Sequence, residues 1–208
     1  KEWMMDRVDQ LEWDMKMIEN KTPYAAIQYL RKSVGYDEFL KEYSVFRQMN
    51  LEELKDVLKR EKNGQCQFMI MTLLLKNYNF TVEELDVFLS HKSKVVQRKA
   101  LEKKYDIIRT YWDGLEEMLL ASSIGVREDV RYILQKHTDF DVLAYYKDRL
   151  DTPKKKICIL GIGECGSAVD ADCILEYLED SEEYIVKSVL QAISGLLGTK
   201  ADDIFWKY

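Results

Sequence analysis

Between residues 170 and 198 the chain carries two apolar stripes at helical spacing joined by a short acidic stretch, and looser copies of this unit recur upstream. Ile174, Leu175 and Leu178 form the first stripe; Val186, Val189, Leu190, Ile193, Leu196 and Leu197 form the second, with residues 179–183 as the polar turn. A helix pair of this size cannot bury its own apolar faces, so its copies must stack on one another. Earlier first helices fall at Val82–Leu89, Leu115–Leu120 and 140–150, ahead of the one at 171–178. The period is roughly 30 residues, and Gly198 suits a left-handed position closing the last helix. With only two prolines and nine glycines in 208 residues, few positions break helices. The chain is expected to be all-α.

The second helices carry a recurring start. Val186-Lys187 with Ala192-Ile193, Val126-Arg127 with Val130, Ile133 and Leu134, and Val95-Val96 with Ala100-Leu101 occupy matching slots, while Tyr145, Tyr146 and Leu150 pair with the run 157–160. This pattern resembles the HEAT-repeat family over about residues 80–208. The resemblance implies a HEAT-like α-solenoid of helix pairs, about four of them, occupying residues 63–208 behind a short helical segment.

Residues 1–62 have another texture, rich in Met and aromatic side chains. Trp3, Met4, Val8, Leu11, Met15 and Ile18 recur at three- and four-residue steps, Thr22-Pro23 suits a helix start, and Asn50 with Glu53 reads as a capping box. Pro23-Tyr24, Ala26-Ile27, Tyr29-Leu30-Arg31 and Gly35-Tyr36-Asp37 with Leu40 resemble the 2B accessory subdomain of UvrD-like superfamily 1 helicases, over about residues 11–60. That resemblance implies a helical piece that contacts duplex DNA, with Lys21, Arg31, Lys32 and Lys41 as the contact residues. It implies no motor, since a Gly-x-x-x-x-Gly-Lys-Ser/Thr phosphate loop is absent. The chain starts at Lys1 and stops within the apolar pattern around Phe205 and Trp206, so it is read as a fragment or a fusion.

Few residues stand in a pattern that points to chemistry. Lys155 to Gly166 reads as a short apolar run entering Gly161-x-Gly163-x-x-Gly166, the spacing of a dinucleotide-binding loop. Its context between helical pairs, without a following strand, makes a helix end the stronger reading. Acidic pairs at Glu52-Glu53, Glu83-Glu84, Glu116-Glu117 and Asp202-Asp203 fit first helical turns, where carboxylates favour the dipole. Trp112-Asp113 could mimic the aromatic-carboxylate pair of a HEAT-like DNA glycosylase, but the acidic balance argues against it. Cys66, Cys158, Cys165 and Cys173 lack zinc spacing and are read as reduced thiols.

No catalytic residue, cofactor or metal site is therefore expected. Arg127, Arg131, Lys154, Lys155 and Lys156 make the best basic strip on the solenoid, although three lysines suit a helix start poorly. The net charge of −6 opposes a nucleic-acid-coating surface, and any binding to duplex DNA is expected to be weak. No apolar run reaches the ~18 residues of a membrane span, and no signal-peptide core opens the chain, so it is read as cytoplasmic and not membrane-bound. These readings converge on a non-catalytic module for protein–protein interaction or scaffolding whose partner the sequence does not name. The alternative is a DNA-contacting regulatory accessory piece of a UvrD-like helicase.

Overall fold

The computed structural model describes residues 45–206, and every regular element among them is helical, with no strand. None of these helices is long and apolar enough to cross a membrane. The chain divides between Ile107 and Ile108 into two compact units. The helices expected before residue 45, and the helicase-like motif they carry, lie outside the described residues.

The first unit contains α1 (Leu51–Arg60), α2 (Gly64–Asn77), α3 (Val82–Leu89) and α4 (Lys94–Ile108). Asn50 and Glu53 form the expected capping box, each side chain accepting the other's backbone N–H at 3.0 and 2.8 Å. Thr81 and Glu84 repeat the device at α3. Helix α2 buries Cys66, Met69, Ile70, Met71, Leu73 and Leu74, an apolar surface too wide for one stripe, so it takes the central position. Phe46, Leu54 and Leu58 join it in one core with Val96 and Ala100 of α4. The change of texture at Lys62-Asn63 falls in the turn between α1 and α2, two helices that share this core.

The second unit begins with a 3₁₀ helix, Leu115–Leu120, followed by α5 (Ile124–His137), α6 (Val142–Lys147) and α7 (Lys155–Cys165). A 3₁₀ turn Ala168–Asp170 leads into α8 (Asp172–Leu175), a second 3₁₀ segment Glu176–Glu179, and α9 (Glu183–Leu197). A 3₁₀ turn Gly198–Ala201 and α10 (Asp202–Phe205) complete it. Helix α5 packs on Leu115–Leu120, α7 on α6, and α9 on Glu176–Glu179, so first and second elements pair where the stripes put them. The first elements are short, and Leu115–Leu120 and Glu176–Glu179 are 3₁₀ rather than α-helical. Gly198 ends α9 at φ 56°, ψ −130° rather than in the left-handed helical region; this is the mirror image of extended backbone, which glycine alone tolerates.

Helix α7 is the hub of this unit. Residues 157–160 are helical, with Cys158, Ile159 and Ile162 buried, so the apolar run feeds no parallel sheet. Its glycines serve close approach. A Cβ on Gly161 would lie 2.4 Å from Cζ of the buried Tyr146 in α6. One on Gly163 would lie 2.5 Å from Cα of Ala192 in α9, and one on Gly195 of α9 would meet the Gly163 carbonyl oxygen at 2.9 Å. Two residues are about 200° of helical turn, so Gly161 and Gly163 open opposite faces of α7 to α6 and α9. Gly166, in extended backbone at φ −82°, closes the helix.

In an open helix a Gly→Ala change adds about 1 kcal/mol of stability through propensity. Here Gly163→Ala is expected to reverse that sign and cost about 1–3 kcal/mol, because the new methyl meets backbone that cannot rotate away. Urea denaturation checks it, with the exposed Ser194→Ala in α9 as a control expected to change stability by less than about 0.5 kcal/mol.

Candidate functional site

The residues singled out for a basic strip do not form one. Arg127 and Arg131 of α5 turn inward onto Glu164 of α7, with side chains 2% and 11% exposed. Arg127 Nε donates to Glu164 Oε2 at 3.1 Å and Arg131 Nη1 to the same oxygen at 2.7 Å, while Arg127 Nη2 pairs with Oε1. Arg127 Nη1 also donates to the Ala121 carbonyl at 2.6 Å, closing the end of Leu115–Leu120. Beside them the Tyr146 hydroxyl donates to the Leu119 carbonyl at 3.1 Å. Burial pushes that phenol up to about 12, against the pull of Arg131. Burial also opposes the charge on Arg131, but hydrogen bonding and attraction to Glu164 outweigh it and hold the guanidinium above its usual value. The two arginines are therefore turned inward onto one shared carboxylate rather than displayed.

Lys154, Lys155 and Lys156 stand at the other end of α7, about 12–15 Å along the helix from Glu164. Their cations oppose the helix dipole there, and acidic and aromatic neighbours offset this. Lys155 Nζ lies 3.0 Å from Asp180 and 4.8 Å from the Tyr177 ring centroid; Lys156 Nζ lies 5.8 Å from that of Tyr184. Of the three, Lys154 and Lys156 are exposed and Lys155 is half-buried. The DNA-contact candidates Lys21, Arg31, Lys32 and Lys41 lie outside the described residues.

Other candidate groups have structural duties. Glu52, Glu53, Glu83, Glu84, Glu116 and Glu117 occupy first turns as expected. Trp112 and Asp113 lie in the loop before Leu115, half-buried and exposed respectively. All four cysteines are free, and burial pushes the Cys158 thiol up to about 11, away from reactivity. Among the described residues no group of three or more His, Cys, Asp or Glu side chains is placed to hold a metal ion. Asp170 has a specific partnership: Lys147 Nζ donates to it at 2.6 Å, and the Ser167 amide and hydroxyl donate at 2.8 and 2.9 Å. The lysine contact first, then the Ser167 donors, hold its carboxyl down at about 2.

The first unit contains a cleft that sequence reasoning missed. Its apolar half, about 280 Å³, lies between α1 and α3 and is walled by Leu58, Phe80, Val87 and Phe88. Its polar half, about 880 Å³, opens between the end of α1, the start of α2 and the turn into α4. Lys59, Arg60, Lys62, Lys92 and Lys94 line this half. The halves share Lys59, Val87 and His91. The signal was present as two short cationic runs, Lys59-Arg60-Glu61-Lys62 and Lys92-Ser93-Lys94, separated by 30 residues and joined only by folding.

Comparison with known protein families, curated proteins and solved structures finds no match to this chain.

Two outcomes follow from the ion pairs. Glu164→Gln is expected to cost about 3–5 kcal/mol by stranding two buried guanidiniums, whereas Glu164→Leu combined with Arg127→Met and Arg131→Met returns most of that loss; urea denaturation of both variants checks the pair. For Asp170, whose folded value of about 2 lies below the ordinary 3.8, the stabilisation is fully present above the ordinary value and is lost as pH falls through the folded one. The stability gap between the parent and Asp170→Asn should therefore shrink from about pH 4 toward pH 2, and a constant gap over that window contradicts the assignment.

Proposed function

We propose that the chain is a non-catalytic helical-repeat module, HEAT-like and solenoidal over residues 63–208, that binds a partner protein in the cytoplasm. The observation that carries this reading is the use made of the glycine motif. In a dinucleotide site Gly161, Gly163 and Gly166 would bring backbone to a pyrophosphate at a helix start. In this chain Gly161 and Gly163 lie within α7, and their missing side chains are the space taken by Tyr146 and Ala192. Solenoidal stacking is supported by the succession of pairs and by contacts between second helices: α5 to α7 through Glu164, and α7 to α9 through Gly163.

A second reading, the DNA-contacting accessory piece of a UvrD-like helicase, draws support from the cationic half of the cleft, since Lys59 and Arg60 fall at the end of the helicase-like stretch. The net charge of −6 opposes it at long range.

The module reading expects no change in melting temperature with ATP or NAD, because a ligand held only by the folded state raises stability by RT ln(1 + [L]/Kd). A reproducible upward shift with either nucleotide overturns it. Fluorescence anisotropy with a labelled DNA duplex separates the second reading: salt-sensitive micromolar binding lost on Arg31→Glu plus Lys32→Glu favours the helicase piece.

A further inference from the structure

Among the described residues, the cleft of the first unit gathers a local charge opposite in sign to that of the whole chain. Five cations line its polar half against one carboxylate, Glu61. That carboxylate is occupied: its Oε1 accepts the backbone N–H groups of Lys62 and Asn63 at 2.8 and 2.7 Å. Glu84, the carboxylate of the apolar half, likewise accepts the Thr81 N–H at 2.8 Å. Arg60 pairs with Asp56 on its own helix. Among the described residues no carboxylate pairs with Lys59, Lys62, Lys92 or Lys94. These lysines stand exposed around one hollow, and their mutual repulsion is relieved by an anionic occupant.

The adjoining half selects among anions. Val87 is 73% exposed at its mouth, over Leu58 and the edge-to-face pair Phe80 and Phe88, whose centroids are 5.4 Å apart. A phosphate backbone gains nothing from such a wall, whereas a peptide can place an apolar side chain on it and carboxylates beside the lysines. We propose that this cleft docks a segment of a partner protein in which one or two large apolar side chains are flanked by acidic residues. The inference rests on the partner-binding reading above and names the chemistry of the partner.

The test uses the whole protein and three fluorescein-labelled probes: a short Asp/Glu peptide carrying Phe and Leu four residues apart, the same peptide with both replaced by Ser, and a DNA duplex. The apolar peptide is expected to bind at micromolar concentration and to weaken about tenfold from low to near-physiological salt. Val87→Ser should weaken it about tenfold while leaving the salt dependence, and Lys59→Glu plus Lys62→Glu should weaken it as much while flattening that dependence. All three positions are exposed, so unchanged helicity and melting temperature serve as the folding control. Equal binding of the Ser peptide overturns the proposal in favour of a plain anion site. Tighter, competing binding of the duplex overturns it in favour of DNA. Concentration-dependent self-association lost in the Lys59→Glu, Lys62→Glu variant assigns the cleft to a second copy of the chain and also overturns it. Failure of every probe removes the proposed segment but leaves the module reading, which a nucleotide-induced melting shift would remove.

Discussion

Inside the second unit two guanidiniums share a single carboxylate, and the arrangement of four elements follows from that sharing. Arg127 and Arg131 come from α5, Glu164 from α7, the Ala121 carbonyl from the end of Leu115–Leu120, and Tyr146 of α6 bonds Leu119 beside them. Charges this deeply buried are poor sources of net stability, because desolvation consumes most of the attraction. They are directional, however. Apolar contacts tolerate a helix sliding by a turn; a carboxylate that must meet two guanidiniums does not. The glycines of α7 act with the same effect by steric means, since Gly161 and Gly163 admit their neighbours at one level of the helix only.

How much of this was legible depends on the range of the interaction. The caps at Asn50 and the acidic first turns are written within four residues, and they stand where the sequence puts them. Val82–Leu89 and Leu115–Leu120 were legible as segments because an apolar stripe needs only one turn of helix to declare itself. That the second of these is a 3₁₀ helix was not, since three and four residues per turn bury the same leucines. Arg127 and Arg131 looked like surface charge because their partner lies 37 and 33 residues away. The glycines were legible as a departure from helix chemistry, but whether that departure serves a ligand, a terminus or a neighbouring helix is decided by what stands opposite, and Ala192 lies 29 residues beyond Gly163.

Both units pair cations with carboxylates, Lys99 with Glu102 and Lys104 with Asp86 in the first, but the cleft departs from this. In the second, Lys147 is matched by Asp170 and Lys155 by Asp180, while two arginines share Glu164. At the cleft of the first unit, the nearest carboxylates accept backbone N–H groups, and among the described residues no carboxylate pairs with its four exposed lysines. A surface of this kind influences encounter before contact, since the local field is cationic although the chain as a whole is anionic.

Shared burial of one carboxylate also bears on how such a chain changes over generations. Repeat arrays commonly grow and shrink by whole units, because each unit is nearly self-similar and its loss leaves neighbours that fit. Excising α6 and α7 in frame would take Glu164 with it and leave Arg127 and Arg131 buried without a counter-ion. Duplicating them would bury a second carboxylate with no guanidinium to meet it. The ion pair thus ties this helix pair to α5, because removing either side alone leaves buried charge without its counter-ion.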